Sequence, residues 1–293
     1  MGLVMSPALY GVVAAVGWGS SDVIGRVAAR ELGPVSAMWG LSVTGLVVAS
    51  LMLFGMPLQL PANAASWEWL LGAAVAAMVG PIVFYRALTF GPMALVAPLS
   101  ASYPAWVVGI AVLGGFRPSI VAWLAIALVA GGAVLVGRSA PADPHDAVAD
   151  DPANRRKAIT AALLTSLSFA ATVILGARSA ARAGAITTLW TARAMGTAVI
   201  GATRPWRGKD GFRRPKLWGL LLLQAMLDNT AFVALYIGSQ HGGAAVTAVA
   251  SSAFLVVAVL LAALFLKERP NFACLAGAGA VFAGIAVLSA VAP

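Results

Sequence analysis

The chain has 293 residues, 61% of them hydrophobic and 10% charged, with a mean hydropathy of +0.92; so little charge cannot coat a soluble globule of this size, and most of the chain belongs in lipid. A net charge of +9 could suggest nucleic acid, but the basic residues fall in short connections between apolar runs rather than along one face, which leaves them as topology signals. One cysteine, Cys274, inside an apolar run, and two histidines, His145 and His241, exclude an internal disulfide and a thiol metal cluster, so neither metal nor cofactor is expected.

A bilayer core about 30 Å thick takes roughly 20 apolar residues in a helix. Cutting the chain at turn and charge signals gives ten such windows. In the first half they cover 8–25, 35–54, 69–90, 93–113 and 120–136. The first window has no basic stretch before it and no small-residue cleavage site, so it is expected to stay as a span. A break over 138–157, carrying Pro141, Pro144 and Pro152 with Asp143, Asp146, Asp150 and Asp151, reads as a linker that cannot bury itself. The second half repeats the rhythm at 158–177, 185–202, 217–239, 244–266 and 272–291. The expected architecture is all-α and integral to the membrane, ten transmembrane helices as two inverted five-helix repeats: residues 1–137, the linker, and residues 158–293.

The repeat is legible at single residues. Gly33, Trp39 and Gly45 recur 151 positions later as Gly184, Trp190 and Gly196, and the same offset sets Tyr85 on Tyr236, Gly91 on Gly242, Ser100 on Ser251 and Tyr103 on Phe254. One residue of slip then pairs Arg117-Pro118 with Arg269-Pro270. An odd number of spans per copy turns the second copy upside down, an arrangement typical of secondary transporters. Loops after odd-numbered spans hold Arg26, Arg30, Arg138, Arg155, Arg156, Lys157, Arg204, Arg207, Lys209, Arg213, Arg214, Lys216, Lys267 and Arg269, against Arg117, Arg178 and Arg182 after even-numbered spans. Taken alone, that bias puts both termini outside the cytoplasm.

Several local signatures then resemble one family. Trp18-Gly19-Ser20-Ser21-Asp22 in the opening span, Glu31-Leu32-Gly33-Pro34 before the second, Tyr85-Arg86-Ala87-Leu88 at the end of the third, Tyr103-Pro104 in the fourth and Leu266-Lys267-Glu268-Arg269-Pro270 before the tenth are similar to patterns of the EamA-type ten-helix transporters in the drug/metabolite transporter superfamily. Two positions depart from that pattern: Gly115-Phe116 stands where an acidic turn residue is usual, and Leu255 where a proline is usual. The resemblance implies a central cavity lined by the first four spans of each half, cytoplasmic termini, and export or import of small metabolites. Charge bias and resemblance thus disagree on orientation, which stays open.

Arg193 lies roughly 12 Å along the axis from Ala185 and Asp228 roughly 17 Å from Leu217, so both approach mid-membrane and could meet. A charge at that depth costs about 3 kcal/mol even on the lenient insertion scale, so both should face protein or a wet cavity. One reading makes Arg193 a clamp for a substrate carboxylate and Asp228 a proton-coupling site or ammonium partner; the other makes them a structural pair joining two spans. Helical spacing gathers Trp18, Ser21 and Asp22 on one face, Trp190, Arg193 and Thr197 on another, and Gln224 with Asp228 on a third. Trp18, Trp39, Ser100, Tyr103, Trp190, Arg193, Gln224, Asp228, Ser251 and Phe254 are therefore the candidate substrate-binding residues. Asp22 is expected to pair with Arg26 along its own helix. Trp67, Trp69, Trp206 and Trp218, near span ends, read as an interfacial belt. Pro98 and Pro104 inside the fourth span are expected to mark a hinge. Gly277 and Gly284 allow close helix contact, within the fold or across a homodimer.

The expected function is secondary transport of a small polar or amphipathic metabolite, such as an amino acid, by alternating access, with export the expected direction and proton coupling through Asp228 an option. The rivals are a channel or non-transporting membrane scaffold, and an integral membrane enzyme. The chain has no His-Glu-x-x-His motif, no Gly-x-Ser-x-Gly elbow and no phosphate-binding loop, which argues against the enzyme. Expected partners are the small-molecule substrate and the lipid bilayer of the cell membrane.

Overall fold

The computed structural model describes residues 5–54, 63–91, 93–139, 152–203, 214–240, 243–265 and 271–291, and every regular element among them is an α-helix. The first half holds α1 (Pro7–Leu32), α2 (Pro34–Leu53), α3 (Ala64–Phe90), α4 (Met93–Ser100), α5 (Tyr103–Leu113) and α6 (Ile120–Ser139). The second holds α7 (Pro152–Ala183), α8 (Ala185–Thr203), α9 (Pro215–Gly238), α10 (Ala244–Ser251), α11 (Phe254–Phe265) and α12 (Phe272–Val291). Helix enters the expected linker from both sides, through Ser139 and from Pro152, and residues 140–151 lie outside the described residues.

Local chemistry sets the helix boundaries. Ser6 Oγ accepts the Leu9 N–H (3.3 Å) with Pro7 opening α1, and Asn63 Oδ1 accepts the Ser66 N–H (2.9 Å) at the start of α3. Ser119 and Asn271, repeat equivalents, cap α6 and α12 by accepting the N–H of Ala122 (3.1 Å) and Cys274 (2.9 Å). The tight turns after α1 and α7 rest on Gly33 and Gly184, at φ 81° and 80°, a conformation that favours glycine; each N–H reaches back four residues, to Ala29 (2.8 Å) and Ala180 (2.9 Å).

Among the described residues, six segments are long and apolar enough to cross a membrane: Pro7–Leu32, Val35–Leu53, Ser66–Phe84, Pro152–Ala183, Pro215–Gly238 and Ala244–Phe265. The other four of the ten expected windows fall short of that measure: α8, whose middle carries Arg193, the window of α4 and α5, and the shorter apolar cores of α6 and α12.

The expected fourth span is two helices, and so is the ninth. The break at Ala101–Ser102 falls 151 positions before that at Ser252–Ala253. At each, a serine hydroxyl takes a carbonyl from the turn before it: Ser102 Oγ donates to Leu99 O (2.6 Å) and Ser252 Oγ to Val249 O (2.7 Å). Pro104 is therefore not inside a continuous helix. It stands in the first turn of α5, where the missing N–H costs no intrahelical bond, and the break in the second half forms with Leu255 in its place. Pro98 falls within α4.

The halves pack with two-fold symmetry. α1 lies antiparallel to α9, with Gly17 on Leu227 and Ala231 and Gly25 on Gln224; its image is α7 antiparallel to α3, with Phe169 on Gly80 and Leu175 on Gly72. α2 crosses α8 through Trp39 on Gly201 and Arg193 on Gly45, with Gly196 beside Ser42. α6 meets α12 through mutual approach of Gly132 and Gly277, where a Cβ on either would stand 2.7 or 2.8 Å from the other's carbonyl oxygen. Adding the offset of 151, or of 152 for α6 and α12, to one partner and subtracting it from the other turns each contact into its image. Antiparallel self-pairing of α2 with α8 and α6 with α12 places the dyad across the helix axes. Gly277 and Gly284 both face α6, so the close contact expected of them lies within the chain.

Candidate functional site

Arg193 on α8 and Asp228 on α9 form an ion pair, with side chains only 12% and 11% exposed. The guanidinium is held from two further directions. Its Nε donates to Asn229 Oδ1 (2.9 Å), and its carbon lies 5.3 Å from the centre of the Phe232 ring. Asn229 then donates from Nδ2 to the carbonyl of Gly45 on α2 (2.8 Å), which carries the network into the first half. Gly45 is small because Arg193 lies on it: a Cβ there would meet Nε at 2.9 Å. Thr44 adds a bond between the same two helices, its hydroxyl donating to Leu221 O (3.2 Å).

An aromatic wall continues from Phe232. Trp18 of α1 meets Phe232 edge-on at 5.1 Å and Phe254 of α11 edge-on at 6.4 Å. Its repeat image is Phe169, which meets Tyr103 edge-on at 6.2 Å. One turn beyond Trp18, Asp22 is exposed and lies within electrostatic reach of Asp228 as well as Arg26.

The candidate residues divide into three groups. Trp18, Arg193, Asp228 and Phe254 form one connected cluster, with Gln224 one turn from Asp228 and packed on Gly25. Tyr103 and Ser251 form a second, sharing a 2.6 Å hydrogen bond while Ser251 Oγ also donates to Ala248 O (3.0 Å). Trp190 and Trp39 lie on the α2–α8 crossing, where the Trp190 indole N–H donates to Ser50 (2.9 Å) and the Trp39 ring lies against Gly201, the repeat equivalent of Ser50. Ser100 is buried with no hydrogen-bond partner for its Oγ among the described residues; the repeat position that supplies the Tyr103 hydroxyl to Ser251 carries Phe254, which has none. Among the described residues Gln224 Oε1 and Thr197 Oγ1 are likewise buried without partners. Unsatisfied polar atoms beside a buried ion pair are groups a polar ligand could satisfy.

Asn229, Phe232 and Gly45 are the members that sequence reading left out. Each had a signal. Asn229 adjoins Asp228 in an apolar run, Phe232 follows Asp228 by four residues on the same helical face, and Gly45 is one of the markers of the repeat. Among the described residues no group of three or more His, Cys, Asp or Glu could hold a metal ion.

No curated protein matches the chain. A solved crystal structure whose description states no activity superposes on 98% of this chain and 97% of its own with a TM-score of 0.77 at 17% identity, a likeness of fold. The model of the EamA-like transporter family matches residues 5–138 and again residues 156–290, one match for each half. The chain therefore belongs to the EamA-like transporter family, within the drug/metabolite transporter superfamily, and is a multi-pass membrane transporter of the cell membrane.

Proposed function

We propose that the chain is a ten-span secondary carrier, two inverted repeats of five, that exports a small amphipathic zwitterion of the amino-acid type by alternating access. The ten-span count draws support from the repeat itself. The α4–α5 window and α8 are the equivalents of Ala244–Phe265 and α2, whose segments reach membrane-spanning length. The inversion draws support from the antiparallel dyad contacts, since a dyad across the helix axes lies in the plane of the bilayer they cross.

The observation that carries the substrate class is the Arg193–Asp228 pair. A zwitterion inserted between the two groups leaves no charge unpaired, its carboxylate on Arg193 and its ammonium on Asp228. An anion alone would strand Asp228, and a cation alone would strand Arg193, each at the cost of an uncompensated buried charge. Trp18, Phe232 and Phe254 beside the pair offer an apolar wall to the side chain of such a ligand.

The test is counterflow in proteoliposomes with a panel of amino acids and, for each, the decarboxylated amine and the deaminated acid. The expected result is saturable exchange of the zwitterions and at least tenfold less of both relatives. Equal exchange of the anionic acids would overturn the reading. Running the panel with and without a pH gradient reports coupling, which this reading assigns to Asp228. A second reading, a purely structural pair, is favoured by the Asn229 bond to Gly45, and the same panel separates the two: a structural pair predicts no discrimination by charge.

A further inference from the structure

The dyad allows each local feature to be compared with its image, and one comparison fails. Between α3 and α7, Trp69 is half-buried and lies under two cations of the facing helix, the guanidinium carbons of Arg178 and Arg182 standing 4.8 and 5.6 Å from its ring. Applying the offset of 151 carries Trp69 to Leu220, Arg178 to Val27 and Arg182 to Glu31. The indole and both guanidinium groups are missing from the image. In their place an open groove of about 570 Å³ lies between the last turn of α1 and the first turns of α9, with Val27, Leu217 and Leu220 as its apolar floor and Arg214, Lys216 and Glu31 at its edge.

The edge is cationic. Arg214 donates from Nη1 to Glu31 Oε2 (3.0 Å), which holds the guanidinium over the groove while both groups stay solvated, at 69% and 48% exposure. Glu31 offsets one charge; Lys216, exposed, is left over. That net positive edge favours an anionic headgroup over a neutral one. A free anion would not need the apolar floor, and an uncharged amphiphile would not need the cations.

We propose that this groove seats one anionic phospholipid, its phosphate against Lys216 and Arg214 and its first acyl carbons on Val27, Leu217 and Leu220, in the place that Trp69 takes in the other half. By the dyad, the lipid sits in one leaflet and the Trp69 cation stack in the opposite one. The asymmetry gives the two sides of the carrier different lipid contacts at equivalent helix ends.

Native mass spectrometry of delipidated full-length protein, after addition of phosphatidylglycerol or phosphatidylcholine, tests this. Wild type is expected to retain one phosphatidylglycerol in clear preference to phosphatidylcholine. Leu220→Trp, which copies the other half, should abolish that retention, and Lys216→Gln should weaken it about fivefold, the worth of one cation near an anionic headgroup. If Leu220→Trp does not fold, the double variant Arg214→Gln/Lys216→Gln carries the test by removing the preference while leaving the groove open. Equal retention of the two lipids by wild type, unchanged retention in the charge variants, or displacement of the lipid by millimolar inorganic phosphate alone would each overturn the proposal.

Discussion

Arg193 holds a buried carboxylate, a carboxamide and an aromatic face at once, so its removal reads out differently for stability and for transport. Arg193→Ala strands Asp228 in an apolar bundle, a loss of roughly 3–5 kcal/mol by the usual measure of a broken buried pair. The double variant Arg193→Ala/Asp228→Ala removes the stranded charge, so its melting temperature in detergent should recover most of the loss. If both groups touch substrate, flux should not recover with it. Recovery of stability and flux together would make the pair structural. Tyr103 gives a smaller version of the same logic. Tyr103→Phe puts at 103 the ring that Phe254 presents in the other half and removes the Tyr103–Ser251 bond while Ser251 keeps its bond to Ala248 O, at a cost of about 1 kcal/mol, which chemical denaturation in detergent can resolve.

At the scale of elements, the chain breaks at two equivalent places, between α4 and α5 and between α10 and α11, and Pro104 stands beside the first. At both breaks a serine, Ser102 or Ser252, gives its hydroxyl to a carbonyl of the preceding turn, and the second break has no proline within it. Pro104→Ala is therefore expected to keep the break and to change the melting temperature by no more than a few degrees, corresponding to about 1 kcal/mol or less. A hinge role for Pro104 would appear instead as slowed exchange at unchanged stability. The α6–α12 contact behaves differently, because its glycines are set by backbone approach. Gly277→Val drives a side chain into the Gly132 carbonyl and should cost about 1–3 kcal/mol, whereas Gly279→Val, with nothing within 4 Å of its Cβ, should be close to neutral. The difference between two neighbouring glycines of one helix controls for helix propensity, which both substitutions change alike.

For the whole molecule, the sequence carried the repeat because several positions that define it have little freedom: Gly33 and Gly184 at positive φ in their turns, and Gly45 under Arg193 at the α2–α8 crossing. The same reading located Arg193 and Asp228, since charge in an apolar run has few places to go. It could not see that Trp190 and Trp39 turn to the dyad crossing, because helical spacing fixes a face but not the neighbour that the face meets. Nor could it see the break at Ser252–Ala253, whose residues are ordinary inside an apolar helix and acquire meaning only from the register with 101–102. The repeat also yields a prediction about sidedness that does not depend on orientation. Ser119 and Asn271 cap α6 and α12 by the same side-chain bond at equivalent positions, and both residues are exposed. Five crossings separate equivalent positions in the ten-span arrangement, so the two caps must lie on opposite sides of the membrane. Cys274 is the chain's one native cysteine and is buried, which supplies an unlabelled background. In intact cells an impermeant maleimide should label only one of Ser119→Cys and Asn271→Cys, and the other only after the membrane is permeabilised. Labelling of both from the same side would mean an even number of crossings between the caps. In that case the dyad could not lie in the bilayer plane, and alternating access by inverted halves would lose its structural basis.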